Sequence, residues 1–170
     1  MIKVKVIFLV CLLMASSACG YRLAGKAELD PVFDNTYVGY QSGGREVAVQ
    51  VEKQFRTNEI NLVSEKDADV IVNVLYERKD REIVAIDSQG KVREYELIMR
   101  VGVDAKSATG ETYLANQDVR LTRTLLFNID DVLGNQREQE AIYQEMREDI
   151  ARLIIYRLQT VSSAAEAEDN

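Results

Sequence analysis

"GKVREYELIMRVGV", residues 90–103, carries the clearest pattern in the chain. Tyr95, Leu97, Met99, Val101 and Val103 fall on one side of a period of two, while Glu94, Glu96, Arg100 and Asp104 fall on the other. Successive side chains of a strand point to opposite faces. The alternation therefore predicts a strand in a sheet packed on one face and wet on the other. Ile98 stands on the charged side as an exception and marks a contact there.

Working outward, Ser107 to Glu111 turns the chain, and Val119, Leu121, Leu125 and Phe127 form one face of a further strand opposite Arg120, Thr122 and Thr124. These two strands read as an antiparallel pair. On the other side, "DSQGK" at residues 87–91 is a turn by its Asp, Ser and Gly content. Before it, "ADVIVNVLYE" is rich in β-branched residues, with Val70, Val72 and Val74 on one face and Asn73 on the other. "RKDRE" interrupts that run before Ile83 to Ile86 resume it, which fits either one long bent strand or two pieces. The only proline, Pro31, precedes "VFDNTYVGY", where Phe33, Tyr37, Val38 and Tyr40 suggest a short first strand.

Two segments change to a helical period. From Arg45 to Asn58, after the "QSGG" turn, Val47, Val51 and Phe55 recur every fourth residue beside Ala48, with Glu46, Lys53 and Arg56 on other faces. After a loop at residues 128–135 containing Asp130, Asp131 and Gly134, a second stripe runs through Ile142, Met146, Ile150, Leu153, Ile154, Leu158 and Val161. Both stripes are buried if the helices lie side by side on the apolar face of a sheet. The expected fold is α+β in two layers, with two helices on one face of a mostly antiparallel four-stranded sheet. The last residues, 162–170, have no apolar period and read as a disordered acidic tail.

The N-terminal segment is built differently. Lys3 and Lys5 precede an apolar run from Val6 to Met14, and Ala15, Ser16, Ser17 and Ala18 lead directly to Cys19. A bilayer-spanning helix needs roughly 20 apolar residues, so this layout fits a cleaved export signal better than a transmembrane helix. Small residues followed at once by cysteine resemble a bacterial lipoprotein signal, although Ser16 stands where that pattern prefers Leu. The resemblance implies cleavage after residue 18, with a diacylglyceryl group on the Cys19 sulfur and an acyl chain on the freed amine. Gly20, where an Asp would direct retention at the inner membrane, implies an outer-membrane destination. The domain expected from this reading spans residues 19–161, tethered through Cys19. A plain signal peptide with a free Cys19 thiol is the alternative.

Composition narrows the function. The 170 residues carry a formal net charge of −7, and removing residues 1–18 takes away two lysines and no acid, which makes it −9. Such a balance argues against nucleic acid as a partner. Of the two cysteines, Cys11 leaves with the signal, so no disulfide partner remains for Cys19. With no histidine, the commonest general base and zinc ligand is missing. No nucleophile elbow, phosphate-cradling loop or dinucleotide fingerprint occurs. Asp130 and Asp131 read as a solvated turn rather than a catalytic pair. The expectation is a protein without enzymatic activity, metal or cofactor beyond the covalent lipid.

Four stretches in order, "CGYRLAG" at residues 19–25, the helix from Arg45 followed by "INLV", "GKVREYELIMRVGV", and "REQEAIYQEMREDIARLIIYRL" at residues 137–158, are similar to the lipopolysaccharide-assembly lipoproteins of the LptE type. That resemblance implies a subunit that plugs and helps assemble an LptD-type outer-membrane β-barrel and binds lipopolysaccharide on its way to the cell surface. It implies basic binding residues in the turn between the second and third strands and before the last helix. Ser88 and Asn135 occupy those positions here, which leaves Lys91, Arg93 and Arg137 as the neighbouring candidates. Ordinary solvated charges are the alternative reading of these three. A different outer-membrane lipoprotein, acting as a periplasmic carrier or as an adaptor for another envelope complex, is the competing functional class.

Overall fold

The computed structural model describes residues 29–168, with side chains through residue 161. The expected signal segment, residues 1–18, and Cys19 therefore lie outside the described residues. Among the described residues the first element is a 3-10 turn at Pro31–Phe33, capped by Asp30, whose carboxylate accepts from the Val32 amide. Phe33 belongs to this turn and plugs the core rather than starting a strand. The strand β1 follows at Asn35–Tyr40. Its core-facing residues are Thr36 and Val38, and buried Thr36 satisfies its hydroxyl by donating to the Phe33 carbonyl at 2.7 Å.

Helix α1, Arg45–Thr57, buries the Val47, Ala48, Val51 and Phe55 stripe that the spacing predicts. Ser42 and Gly43 before it both have positive φ, so the turn needs the conformational freedom that Gly43 supplies. The remaining elements are β2 (Asn61–Leu62), β3 (Val70–Ile86), β4 (Val92–Ser107), β5 (Thr112–Leu126) and helix α2 (Val132–Glu168).

The sheet has five strands in the order β2-β1-β3-β4-β5, not four. β1 pairs in parallel with both β2 and β3, while β3, β4 and β5 form an antiparallel meander, so the sheet is mixed. The extra strand is two residues long and follows α1 directly, too short to show any period. The fold is α+β, with both helices packed against the sheet's apolar face.

Of the two options for residues 70–86, one long strand is correct. It stays continuous because register shifts at Val74/Tyr76 and Ile83/Ala85 absorb the polar interruption. A bulge exchanges the faces of every later side chain. Val70, Val72 and Val74 point into the core, but beyond the bulge Glu77, Lys79 and Arg81 take the helix side, opposite Val101, Met99 and Leu97. β1 pairs only with residues 70–74 of β3, so β3 continues past it with an exposed stretch at residues 78–84, where Tyr143 and Arg147 of α2 reach Asp80 and Glu77.

The α2 stripe differs from expectation in its membership. Leu153 is 37% exposed, whereas Tyr143, Ala151 and Ile155 join Met146, Ile150, Ile154 and Leu158 in the core. Arg147 is also buried, at 2% exposure. It meets Glu77 of β3, Glu46 of α1 and Glu140 of its own helix. The helical backbone runs to Glu168, into the stretch expected as a tail; Ala164, Ala165, Glu166, Ala167 and Glu168 are strong helix formers without an apolar period. No helix among the described residues is long and apolar enough to cross a membrane.

Candidate functional site at the hairpin end

The candidate cations Lys91, Arg93 and Arg137 lie on two elements, the β3–β4 hairpin and the first turns of α2. The hairpin is closed by Asp87. Its Oδ1 accepts from the amides of Gln89 and Lys91, both at 2.9 Å, and its own amide donates to the Lys91 carbonyl at 2.8 Å. Gly90, at φ 77°, supplies the left-handed residue the turn requires. The same carboxylate accepts from Arg93, with Nε at 3.0 Å and Nη2 at 2.8 Å. The hydrogen bond from the Lys91 amide, supported by those from the Gln89 amide and the Arg93 guanidinium, holds the Asp87 carboxyl below the usual carboxylate range.

Arg93 is thus engaged with the turn, whereas no ion pair holds Lys91 or Arg137 among the described residues. Ser88 sits exposed at the hairpin tip.

The second element is organised by Asn135. This residue lies inside the first turn of α2, not before it, and is only 7% exposed. Its side chain accepts from the Asn128 amide at 3.0 Å and donates to the Asn128 carbonyl at 2.6 Å. It therefore locks the β5–α2 loop, which accounts for a buried amide at the position where the resemblance implies a cation. Asp131 accepts from the Gly134 amide at 2.9 Å, and a Cβ at Gly134 would meet that carboxylate at 2.1 Å. Asp131 is accordingly a helix-start carboxylate.

Three contacts join the hairpin to this loop and helix. The Phe127 amide donates to the Arg93 carbonyl at 2.8 Å. Tyr95 and Phe127 meet edge to face at 5.3 Å. Arg81 lies 4.3 Å over the Tyr95 ring and donates to Gln139 of α2 at 3.1 Å. The cations of both elements are therefore carried at one end of the molecule.

Among the described residues, that end also holds most of the exposed large apolar side chains. Ile83, Val84 and Ile86 close β3, Leu126 ends β5, Ile129 sits in the loop, and Val132 and Leu133 open α2. Leu126 and Leu133 are 68% and 66% exposed. Scattered exposed aliphatics need no explanation, but aliphatics gathered with cations on adjoining elements suit an amphiphile with an apolar body and an anionic head. Sequence reasoning did not single out Leu126, Ile129, Val132 or Leu133. Their signal was present as apolar residues beside the polar "NIDD" loop, which no periodic template scores.

The likeness to known proteins is broad. The LptE family model, described as lipopolysaccharide-assembly, matches residues 30–158. The LPS-assembly lipoprotein LptE of Photorhabdus laumondii is 25% identical over 152 residues, covering 89% of this chain and 82% of the relative. Its namesake in Pectobacterium atrosepticum is 22% identical over 158 residues, covering 92% and 85%. Among solved structures, lipoprotein B from Nitrosomonas europaea superposes with a TM-score of 0.68 at 26% identity, covering 87% of this chain and 94% of that one. The rare lipoprotein B from Shewanella oneidensis does so with a TM-score of 0.65 at 22% identity, covering 80% and 99%. The family model spans the 3-10 turn, all five strands and most of α2, and the chain belongs to the lipopolysaccharide-assembly family LptE.

Proposed function

We propose that this protein is the lipoprotein subunit of an outer-membrane lipopolysaccharide translocon. In this reading a diacylglyceryl and an N-acyl chain on Cys19 hold it at the outer membrane, the folded domain plugs and helps assemble an LptD-type β-barrel, and the hairpin end binds lipopolysaccharide as it passes. The role is one of binding and structure, without catalysis. At about 0.8 kcal/mol per buried methylene, two or three acyl chains suffice to anchor a domain of this size.

The observation that carries the reading is the family match over residues 30–158. The hairpin end adds a chemical fit. Lipopolysaccharide joins phosphates to acyl chains, and this end joins Lys91 and Arg137 to a set of exposed aliphatics. Arg93 supports the site by fixing the hairpin through Asp87.

The binding claim is tested with a photocrosslinking residue at Ser88 or Leu133 and purified lipopolysaccharide. Crosslinks at these positions, with none at Lys53 on α1, are the expected result. Equal labelling at all three positions would remove the hairpin end as the site.

A further inference from the structure

The sheet face turned away from the helices has an unusual charge pattern. In the strand register Arg78 lies opposite Arg100, and Arg100 lies opposite Arg120. Four residues along β3, Glu82 lies opposite Glu96. Between these rows run Asp80, Ile98 and Thr122. Like charges directly opposite each other destabilise a sheet. Here both signs are sorted into separate rows, which is the costlier arrangement for the isolated protein. Among the described residues no ion pair relieves Arg78, Arg100 or Arg120, although Arg56, Arg93, Arg123, Arg147 and Arg152 each have at least one.

The arginine row is propped in place. Arg78 stacks 4.7 Å over the Tyr76 ring. That ring lies across Gly102, where a Cβ would come within 2.5 Å of it, and its hydroxyl donates to Asp118. The carboxylate of Asp118, two residues from Arg120 on the same strand, is therefore engaged by a tyrosine, while Arg157 reaches only its backbone carbonyl.

We infer that this face docks on the β-sheet wall of a protein partner carrying the inverse bands, an acidic row against Arg78, Arg100 and Arg120 and basic groups against Glu82 and Glu96. Neighbouring strands are about 4.8 Å apart, so the arginines cover roughly 10 Å, and the rows lie roughly 13 Å apart along the strands. Two stacked sheets with nearly aligned strands bring cross-strand rows of the same spacing over one another. A uniformly anionic lipid surface is the poorer match, because Asp80, Glu82 and Glu96 share the face and the chain carries a formal net charge of −7. The inference rests on the proposal that the domain sits within a barrel, and it adds which face meets the wall and by what chemistry.

The experiment co-expresses the full chain with the outer-membrane barrel from the same genome and captures the complex in mild detergent. Arg100→Glu and Glu96→Lys each turn a repulsive row into an attractive one within this sheet. Each isolated variant is expected to melt at or above the wild-type temperature, yet to retain about tenfold less barrel. Arg100→Gln, which adds no new charge, should fall between. Wild-type capture by Arg100→Glu overturns the docking face while leaving the translocon reading intact. Failure of the wild-type chain to capture any barrel overturns both. Unimpaired barrel capture together with lost binding to phosphatidylglycerol vesicles would assign the arginine row to an anionic lipid instead.

Discussion

Arg147 Nε of α2 lies 3.1 Å from Glu77 Oε1 of β3, and their side chains are only 2% and 6% exposed. Glu46 of α1 and Glu140 and Gln144 of α2 reach the same guanidinium. One buried cation thus ties both helices to the strand just beyond the bulge at Val74/Tyr76. Removing one member of a buried ion pair typically costs about 3–5 kcal/mol, and because Glu77 keeps Lys79 Nζ at 3.5 Å the loss here falls at the lower end of that range. Arg147→Ala is expected to lose about that much in urea unfolding. Arg147→Met combined with Glu77→Leu should recover most of it; a double variant no better than the single would show that the pair is not the source.

The hairpin depends on Asp87 in its charged form. Its pKa is lowered in the folded protein, so the contribution is present above the ordinary carboxylate value of about 3.9 and is lost as pH falls through the lower folded value. Hydrogen exchange of the Gln89 and Lys91 amides should accelerate in that acid range relative to the core strands. Asp87→Asn should give the faster exchange already at neutral pH and release Arg93. Protection in Asp87→Asn equal to wild type would refute the role assigned to this carboxylate.

Tyr76 provides a second pH-dependent test on the opposite face. Its hydrogen bond to Asp118 raises its pKa, with burial and the Asp118 charge adding to the effect. The folded state therefore holds the proton more tightly than the unfolded chain. Stability from this bond is complete below about pH 10 and declines as pH rises through the folded value. Ultraviolet titration should place Tyr76 above the ordinary range together with Tyr113 and Tyr143, which burial raises, and Asp118→Asn should lower Tyr76 alone. Gly102→Ala is expected to destabilise the protein, because a Cβ would come within 2.5 Å of the Tyr76 ring.

Much of this architecture was legible in the chain, for physical reasons visible residue by residue. Tyr95 to Val103 alternate because β4 is central, packed on one face and polar on the other. Val47, Val51 and Phe55 mark α1 because its single buried stripe follows the helical period. What was hidden lacks a period. β2 is two residues long, and the bulge after Val74 turns Glu77 inward without any change in composition. Arg147 reads as one more charge on a polar helix until tertiary packing buries it. Asn135 reads as loop because its role is a pair of hydrogen bonds to Asn128, seven positions away. For the site, Lys91, Arg93 and Arg137 were legible as charges, whereas the pairing of Arg93 with Asp87 and the apolar residues around them required the fold.

The apolar residues at the hairpin end can be separated from the core. Leu126 and Leu133 are largely exposed, so Leu126→Ser with Leu133→Ser should change unfolding free energy by no more than about 0.5 kcal/mol per site. If this end holds lipopolysaccharide, the same pair should weaken its binding clearly, and Lys91→Glu with Arg137→Glu should weaken it further at low salt than at high. A loss of stability matching the loss of binding would mean these side chains serve the fold instead.

The anchor is tested independently of the folded domain. Cys19→Ala should abolish incorporation of labelled fatty acid into the protein, and wild-type protein lacking label would return Cys19 to the status of an ordinary thiol.

The most direct test of the whole account is gentle detergent extraction of native outer membranes followed by size-resolved capture of this chain. The account predicts recovery in a stoichiometric complex with one large β-barrel protein, lost when that barrel is depleted. Recovery of the chain as a lone monomer, at undiminished abundance in barrel-depleted cells, would contradict it.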